Sequence, residues 1–198
     1  EPAHLKPAQC TPLSSRFRNT VHSYADIPAW SRDGSRLLYL GFDDFDAPGA
    51  IVVQDLATGR ETVLAEATHY NAHSAAWQHW ILDDSEVVYN TLDDDGWYRP
   101  YRVRLDAPGR PRRMDGLDNH TFRMISRDGR YGVAHVEHYQ DRPPQAVRVD
   151  FQTGEQKVLL TAEEAVESLP RELIDPDPEQ RYFLNHTVLS PDGSRMFF

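Results

Sequence analysis

The chain repeats one plan four times, and that repetition constrains its fold more than any other feature. Ala29-Trp30-Ser31-Arg32-Asp33-Gly34-Ser35-Arg36-Leu37-Leu38-Tyr39 is followed by an acidic loop, the run Ala50-Ile51-Val52-Val53, a Thr58-Gly59 turn and Glu61-Thr62-Val63-Leu64. Ala76-Trp77 opens a second copy, which continues through Asp83-Asp84-Ser85, Val87-Val88-Tyr89, Tyr101-Arg102-Val103-Arg104-Leu105 and a Pro108-Gly109 turn. A third copy runs from Met124-Ile125-Ser126-Arg127-Asp128-Gly129 to Val158-Leu159-Leu160, and a fourth starts at Val188-Leu189-Ser190-Pro191-Asp192-Gly193.

Each copy reads strand, turn, strand, loop, strand, turn, strand. Asp-Gly supplies the positive φ that a two-residue hairpin turn demands, so Asp33-Gly34, Asp128-Gly129 and Asp192-Gly193 are placed between first and second strands. Four short antiparallel strands per unit, recurring every few tens of residues, predict an all-β chain and a β-propeller. Its approximate blades cover 22–66, 69–115, 119–161 and 182–198, within one propeller domain spanning 1–198. About four blades fall short of a closed ring, and a larger, seven-bladed ring is expected. The remaining blades are expected from the same chain or a second one, because Phe197-Phe198 would otherwise leave an apolar edge unpaired. Helix is expected over Thr161 to Leu169, with Thr161 as cap and Glu163 and Glu164 at the positive end of the dipole.

Composition narrows the function classes. A formal net charge of -10 excludes a general nucleic-acid binder. No run of apolar residues is long enough for a membrane helix, so neither nucleic acid nor membrane is an expected partner. Cys10 is the single cysteine, which rules out an internal disulfide. A periplasmic or secreted location is expected ahead of a cytoplasmic one. Only Lys6 and Lys157 among the 21 basic residues are lysines, leaving a surface rich in arginine forks that can grip carboxylates.

Histidines stand near the start of every unit. His22 precedes Trp30 by the same interval as His69 precedes Trp77, and His73, His120 and His186 lie just before the first strands of their units. In a propeller the first strand of each blade lines the central channel, so His22, His69, His73, His120 and His186 are expected to converge at one channel mouth. Such a ring can hold a divalent metal or an acidic ligand, and a neutral imidazole can act as a base. Trp30 and Trp77 are expected to be buried at equivalent positions in adjacent blades. The acidic loops at Asp43-Asp44-Phe45-Asp46 and Asp93-Asp94-Asp95-Gly96 lack the spacing of a calcium-binding loop. No nucleophile elbow, phosphate-binding glycine loop or paired cysteine is present.

The segments around Trp30 to Arg36 and Leu189 to Arg195 resemble the repeats of TolB-like propellers. Val21-His22-Ser23-Tyr24, the His69 to Trp77 stretch with Val87-Val88-Tyr89-Asn90, and Asn185-His186-Thr187 together resemble the propeller polysaccharide lyases of the oligogalacturonate lyase and ulvan lyase type. That resemblance implies β-elimination on a uronate-containing oligosaccharide, with developing enolate charge stabilised by a metal or cationic side chains. It makes His69 and Asn90 candidate catalytic residues and His186 a candidate ligand for manganese, zinc or calcium; Tyr70 beside His69 is a further catalytic candidate, and the channel-mouth His22, His73 and His120 are candidate substrate contacts. A non-catalytic TolB-like binding or assembly platform is the alternative reading, and a propeller cap on a serine peptidase is a third.

Overall fold

In the computed structural model, residues 12–136, 145–174, 187–190 and 193–197 are described. Three four-stranded antiparallel sheets follow one another, each with its strands in chain order. The first holds β1 (Asn19–Val21), β2 (Arg36–Phe42), β3 (Gly49–Asp55) and β4 (Glu61–Ala67). The second holds β5 (His79–Ile81), β6 (Glu86–Leu92), β7 (Tyr98–Arg104) and β8 (Arg112–Arg113). The third holds β9 (His120–Ile125), β10 (Tyr131–Val136), β11 (Gln145–Asp150) and β12 (Gln156–Thr161). A fourth unit contributes the hairpin β13 (Val188–Leu189) and β14 (Met196–Phe197). Radial repetition of such sheets is the β-propeller architecture, and the chain is a partial propeller.

The turn joining first and second strands is built from the Ser-x-Asp-Gly signature. Ser31 Oγ donates to Asp33, accepts from the Arg36 amide at 2.9 Å, and Gly34 N–H closes on Ser31 O at 2.9 Å. Ser126, Asp128, Gly129 and Tyr131 repeat the arrangement, and Ser190 Oγ accepts from the Arg195 amide at 2.9 Å. The loop is therefore longer than the two-residue hairpin expected from Asp-Gly alone, and only its glycine takes positive φ. Gly129 is constrained twice: its φ is +69°, and a Cβ there would lie 2.7 Å from the Leu82 amide of the neighbouring unit.

Units are joined by apolar seams, and the pairing registers assign the same positions to each. Trp30 lies opposite Leu37, Trp80 opposite Val87, Ile125 opposite Gly132 and Leu189 opposite Met196. Trp80 shares a buried cluster with Leu38 of the preceding unit, Ile125 with Val88, and Leu189 with Val133. In each seam an inner-strand side chain packs on the second strand of the unit before it.

This register corrects the expected pairing of Trp30 with Trp77. Trp77 is buried, but its counterpart is not Trp30: Trp80 holds the equivalent place, and Trp30 is 59% exposed. The inner edge of the first unit pairs through Asn19–Val21, leaves over residues 22–28, and rejoins at Trp30. In the second unit Ala76 O already accepts from Asn90 N–H, and β5 starts three residues later. His22 consequently sits inside the inner-edge excursion while His69 precedes its strand, so their equal spacing from a tryptophan is coincidental.

The expected helix forms as α1 (Ala162–Glu167), closed by a capping box between Thr161 and Glu164.

Candidate functional site

The end of the inner strands where units connect carries a cluster drawn from three units. In the 22–28 excursion, Ile27 N–H closes a turn on Tyr24 O, and the Tyr24 ring stacks on Trp77 with centroids 5.6 Å apart. The Arg123 guanidinium of β9 lies 3.8 Å from the Tyr24 ring centroid, near enough for a cation–π contact, and Asp26 faces it at 3.6 Å. Ile27, Trp77 and Tyr98 form the buried layer beneath Tyr24.

Two exposed imidazoles border this cluster. Asn71 Oδ1 accepts from the His73 and Ser74 amides at 2.8 Å each, an Asx turn that projects His73 outward. The His73 ring meets Tyr24 edge-on at 4.7 Å, and the His69 ring meets Tyr98 edge-on at 5.3 Å. Thr68, just before His69, is fixed by its amide donating to Thr91 Oγ1 at 2.8 Å.

The other sequence-predicted residues lie elsewhere. His22 is exposed and opens onto a cavity beside Leu13 and Thr20 on the flank of the first unit. His120 is wholly buried, with Nδ1 at 2.8 Å from Asp118 O. Asn90 is also wholly buried; its amide nitrogen donates to His120 O at 2.7 Å, and its Oδ1 has no partner among the described residues. Tyr70 follows His69 in sequence but turns to the first unit's acidic loop, where its hydroxyl lies 2.8 Å from both Asp44 O and Ala47 O. Burial, together with the charges of Asp44 and Asp46, raises its pKa. His186 lies outside the described residues. Of the four described histidines of the expected ring, His69 and His73 share a cluster, while His22 and His120 do not join it.

Among the described residues no group of three or more His, Cys, Asp or Glu is placed to share a metal ion. The acidic loop of the second unit is bound from within by an arginine. The Arg99 guanidinium spans Asp93 and Asp95 at 2.6 Å each and Asp118 at 2.5 Å.

Sequence reasoning missed His79. It is buried in β5, its Nε2–H donates to Phe122 O at 2.7 Å, and desolvation pushes its pKa down to about 4. The partnership of Tyr24, Trp77, Tyr98 and Arg123 was also missed, since these residues meet only once three units are stacked.

No protein-family model and no curated protein matches the sequence. Solved structures do. TolB from Acinetobacter baumannii aligns with a TM-score of 0.58 at 19% identity, over 90% of this chain and 37% of its own. An oligogalacturonate lyase in complex with manganese aligns at 0.53 and 20% identity, over 90% of this chain and 52% of that one. A prolyl endopeptidase aligns at 0.52 and 13% identity, over 72% of this chain and 22% of its own. At these identities the likeness shows the fold, a β-propeller, and the chain spans less than two thirds of each of these proteins.

Proposed function

We propose that this chain is the part of a β-propeller that binds a uronate-containing oligosaccharide, at the surface framed by Tyr24, His69 and His73. The observation that carries the reading is the half-buried Tyr24 ring, held by Trp77 and Arg123 and bordered by an exposed imidazole. The Tyr24 ring is already met by Trp77, Arg123 and His73, and its hydroxyl can exchange a hydrogen bond with a sugar hydroxyl. Imidazole N–H groups donate to a carboxylate, and do so more strongly when protonated. With a net charge of -10 the molecule repels anions at long range, so recognition of an acidic sugar rests on these local donors.

A second reading is β-elimination, favoured by the exposed position of His69 against Tyr98. In it His69 takes the proton beside the uronate carboxylate, the freed C–H electron pair forms a carbon–carbon double bond, and the glycosidic oxygen leaves with its bonding pair and takes a proton from water. Asn90 and Tyr70 drop out of that reading, the first wholly buried and the second committed to two main-chain oxygens.

Calorimetric titration with trigalacturonate and with neutral galactotriose tests the first reading, and the ultraviolet absorbance of an unsaturated product tests the second. Saturable binding of the acidic trimer alone supports recognition, and binding with rising absorbance adds elimination. Equal affinity for both trimers, or for neither, overturns the proposal.

A further inference from the structure

Arg123 carries a buried charge whose hydrogen-bonding edge is unused within the chain. Its side chain is 8% exposed, and its Nε is sealed from solvent without a partner. None of its guanidinium N–H groups has a hydrogen-bond partner among the described residues. Tyr24 and Trp77 lie 3.8 Å and 5.4 Å from it by ring centroid, which supports the charge through its flat face. The N–H edge still calls for acceptors, because a desolvated ion is tolerated when it is both paired and hydrogen-bonded.

The carboxylate facing that edge is Asp26, at 3.6 Å, outside hydrogen-bond range. A charge-assisted bond between such groups runs at about 2.7–2.9 Å. Asp26 stands third in the turn that Ile27 N–H closes on Tyr24 O, and Ile27 anchors that turn in the buried layer with Trp77 and Tyr98. The Asp26 side chain itself is 45% exposed and makes no hydrogen bond among the described residues. It lines a cavity of about 290 Å³ with Ile27, His79 and Met124, while Arg123 is not part of that lining. Asp26 thus borders both the guanidinium and the open space.

We infer that Asp26 is an internal substitute for a ligand carboxylate: an acidic ligand displaces it, takes the Arg123 guanidinium, and binds less tightly than it would without this competitor. The inference rests on the ligand surface proposed above, where the Tyr24 ring joins Arg123 to His73. Displacing Asp26 gives up little, since a half-exposed ion pair without a hydrogen bond contributes little. The incoming carboxylate gains charge-assisted bonds to a group already out of water. Tyr24 and Trp77 hold that group in place, so no long side chain has to be ordered on binding.

Acetate, the simplest carboxylate, tests the exchange without any sugar. The reporter is the Arg123 Nε–H resonance in proton–nitrogen spectra of the 198-residue chain, assigned by its loss in Arg123→Gln. Asp26→Asn is expected to strengthen acetate binding at that resonance by at least about tenfold over the parent. Asp26→Ala is expected to act in the same direction, and circular dichroism checks that each variant is folded. With trigalacturonate, Asp26→Asn is expected to raise affinity in the parent and to lose that effect in the Arg123→Gln background, where simple relief of repulsion would persist. Acetate that leaves the Arg123 resonance in place in every protein, or that binds parent and Asp26 variants equally, overturns the inference whether or not the sugar binds. Acetate at Arg123, strengthened in the Asp26 variants, with trigalacturonate bound by none of them, supports the exchange and overturns the oligosaccharide reading.

Discussion

The His73 and Tyr24 rings stand T-shaped, with centroids 4.7 Å apart and planes at 84°, joining a connector of the second unit to an excursion from the first. Because Tyr24 also stacks on Trp77 and lies over Arg123, the contact ties an exposed histidine to a fixed aromatic surface. A ligand at His73 therefore meets a preformed site, with little ordering cost on binding.

His73→Ala and His69→Ala are expected to lower affinity for an oligouronate by about tenfold each, the scale of one charge-assisted hydrogen bond. Both side chains are exposed, so the melting temperature should stay within a degree or two of the parent's. Calorimetry paired with a thermal melt separates this outcome from general unfolding.

Trp80→Ala is expected to destabilise the chain by about 3–5 kcal/mol, since it empties the first seam. Trp80→Phe keeps most of the packing but loses the bond to Ala29 O, and should cost clearly less. Urea unfolding of the two variants gives the order, and equal losses would remove the seam's role.

The Ser-x-Asp-Gly turns predict a ranking among glycines. Gly34→Ala places a side chain at φ +71° in open space, for a cost of about 1–2 kcal/mol. Gly129→Ala adds a collision with the Leu82 amide at 2.7 Å and should cost more. Comparable denaturation midpoints for the two would contradict the packing of one turn against the next unit.

The repeat was legible because its turn chemistry is written in the residues. Ser, Asp and Gly at fixed spacing make the same hydrogen bonds wherever they occur. The second unit hid its register because Leu82-Asp83-Asp84-Ser85 makes the equivalent turn without glycine, through three residues at positive φ. Ala76-Trp77 then imitated Ala29-Trp30, and Trp80 was passed over. In the candidate site, the histidines were visible as a recurring residue type. Their sorting into His69 and His73 outside and His79 and His120 inside depends on how units stack, which spacing does not encode.

The buried His79 predicts a pH dependence. Its pKa falls from the ordinary 6.5 to about 4 because burial disfavours the charged ring, with Asp26 and Arg123 its charged neighbours. The unfolded chain binds the proton more readily, so this contribution is fully present above about pH 6.5 and is lost as pH falls towards 4. A shift of that size corresponds to about 3 kcal/mol. Urea titrations at neutral and acidic pH should show a smaller loss in His79→Gln than in the parent chain, and equal losses would refute the assignment.

Imidazole resonances report directly where a ligand binds. In two-dimensional proton–nitrogen spectra of the histidine rings titrated with trigalacturonate, His69 and His73 are predicted to shift saturably while His79 and His120, buried beneath the cluster, stay in place. Shifts confined to other histidines, or none under conditions where trigalacturonate is bound, would contradict the placement of the site.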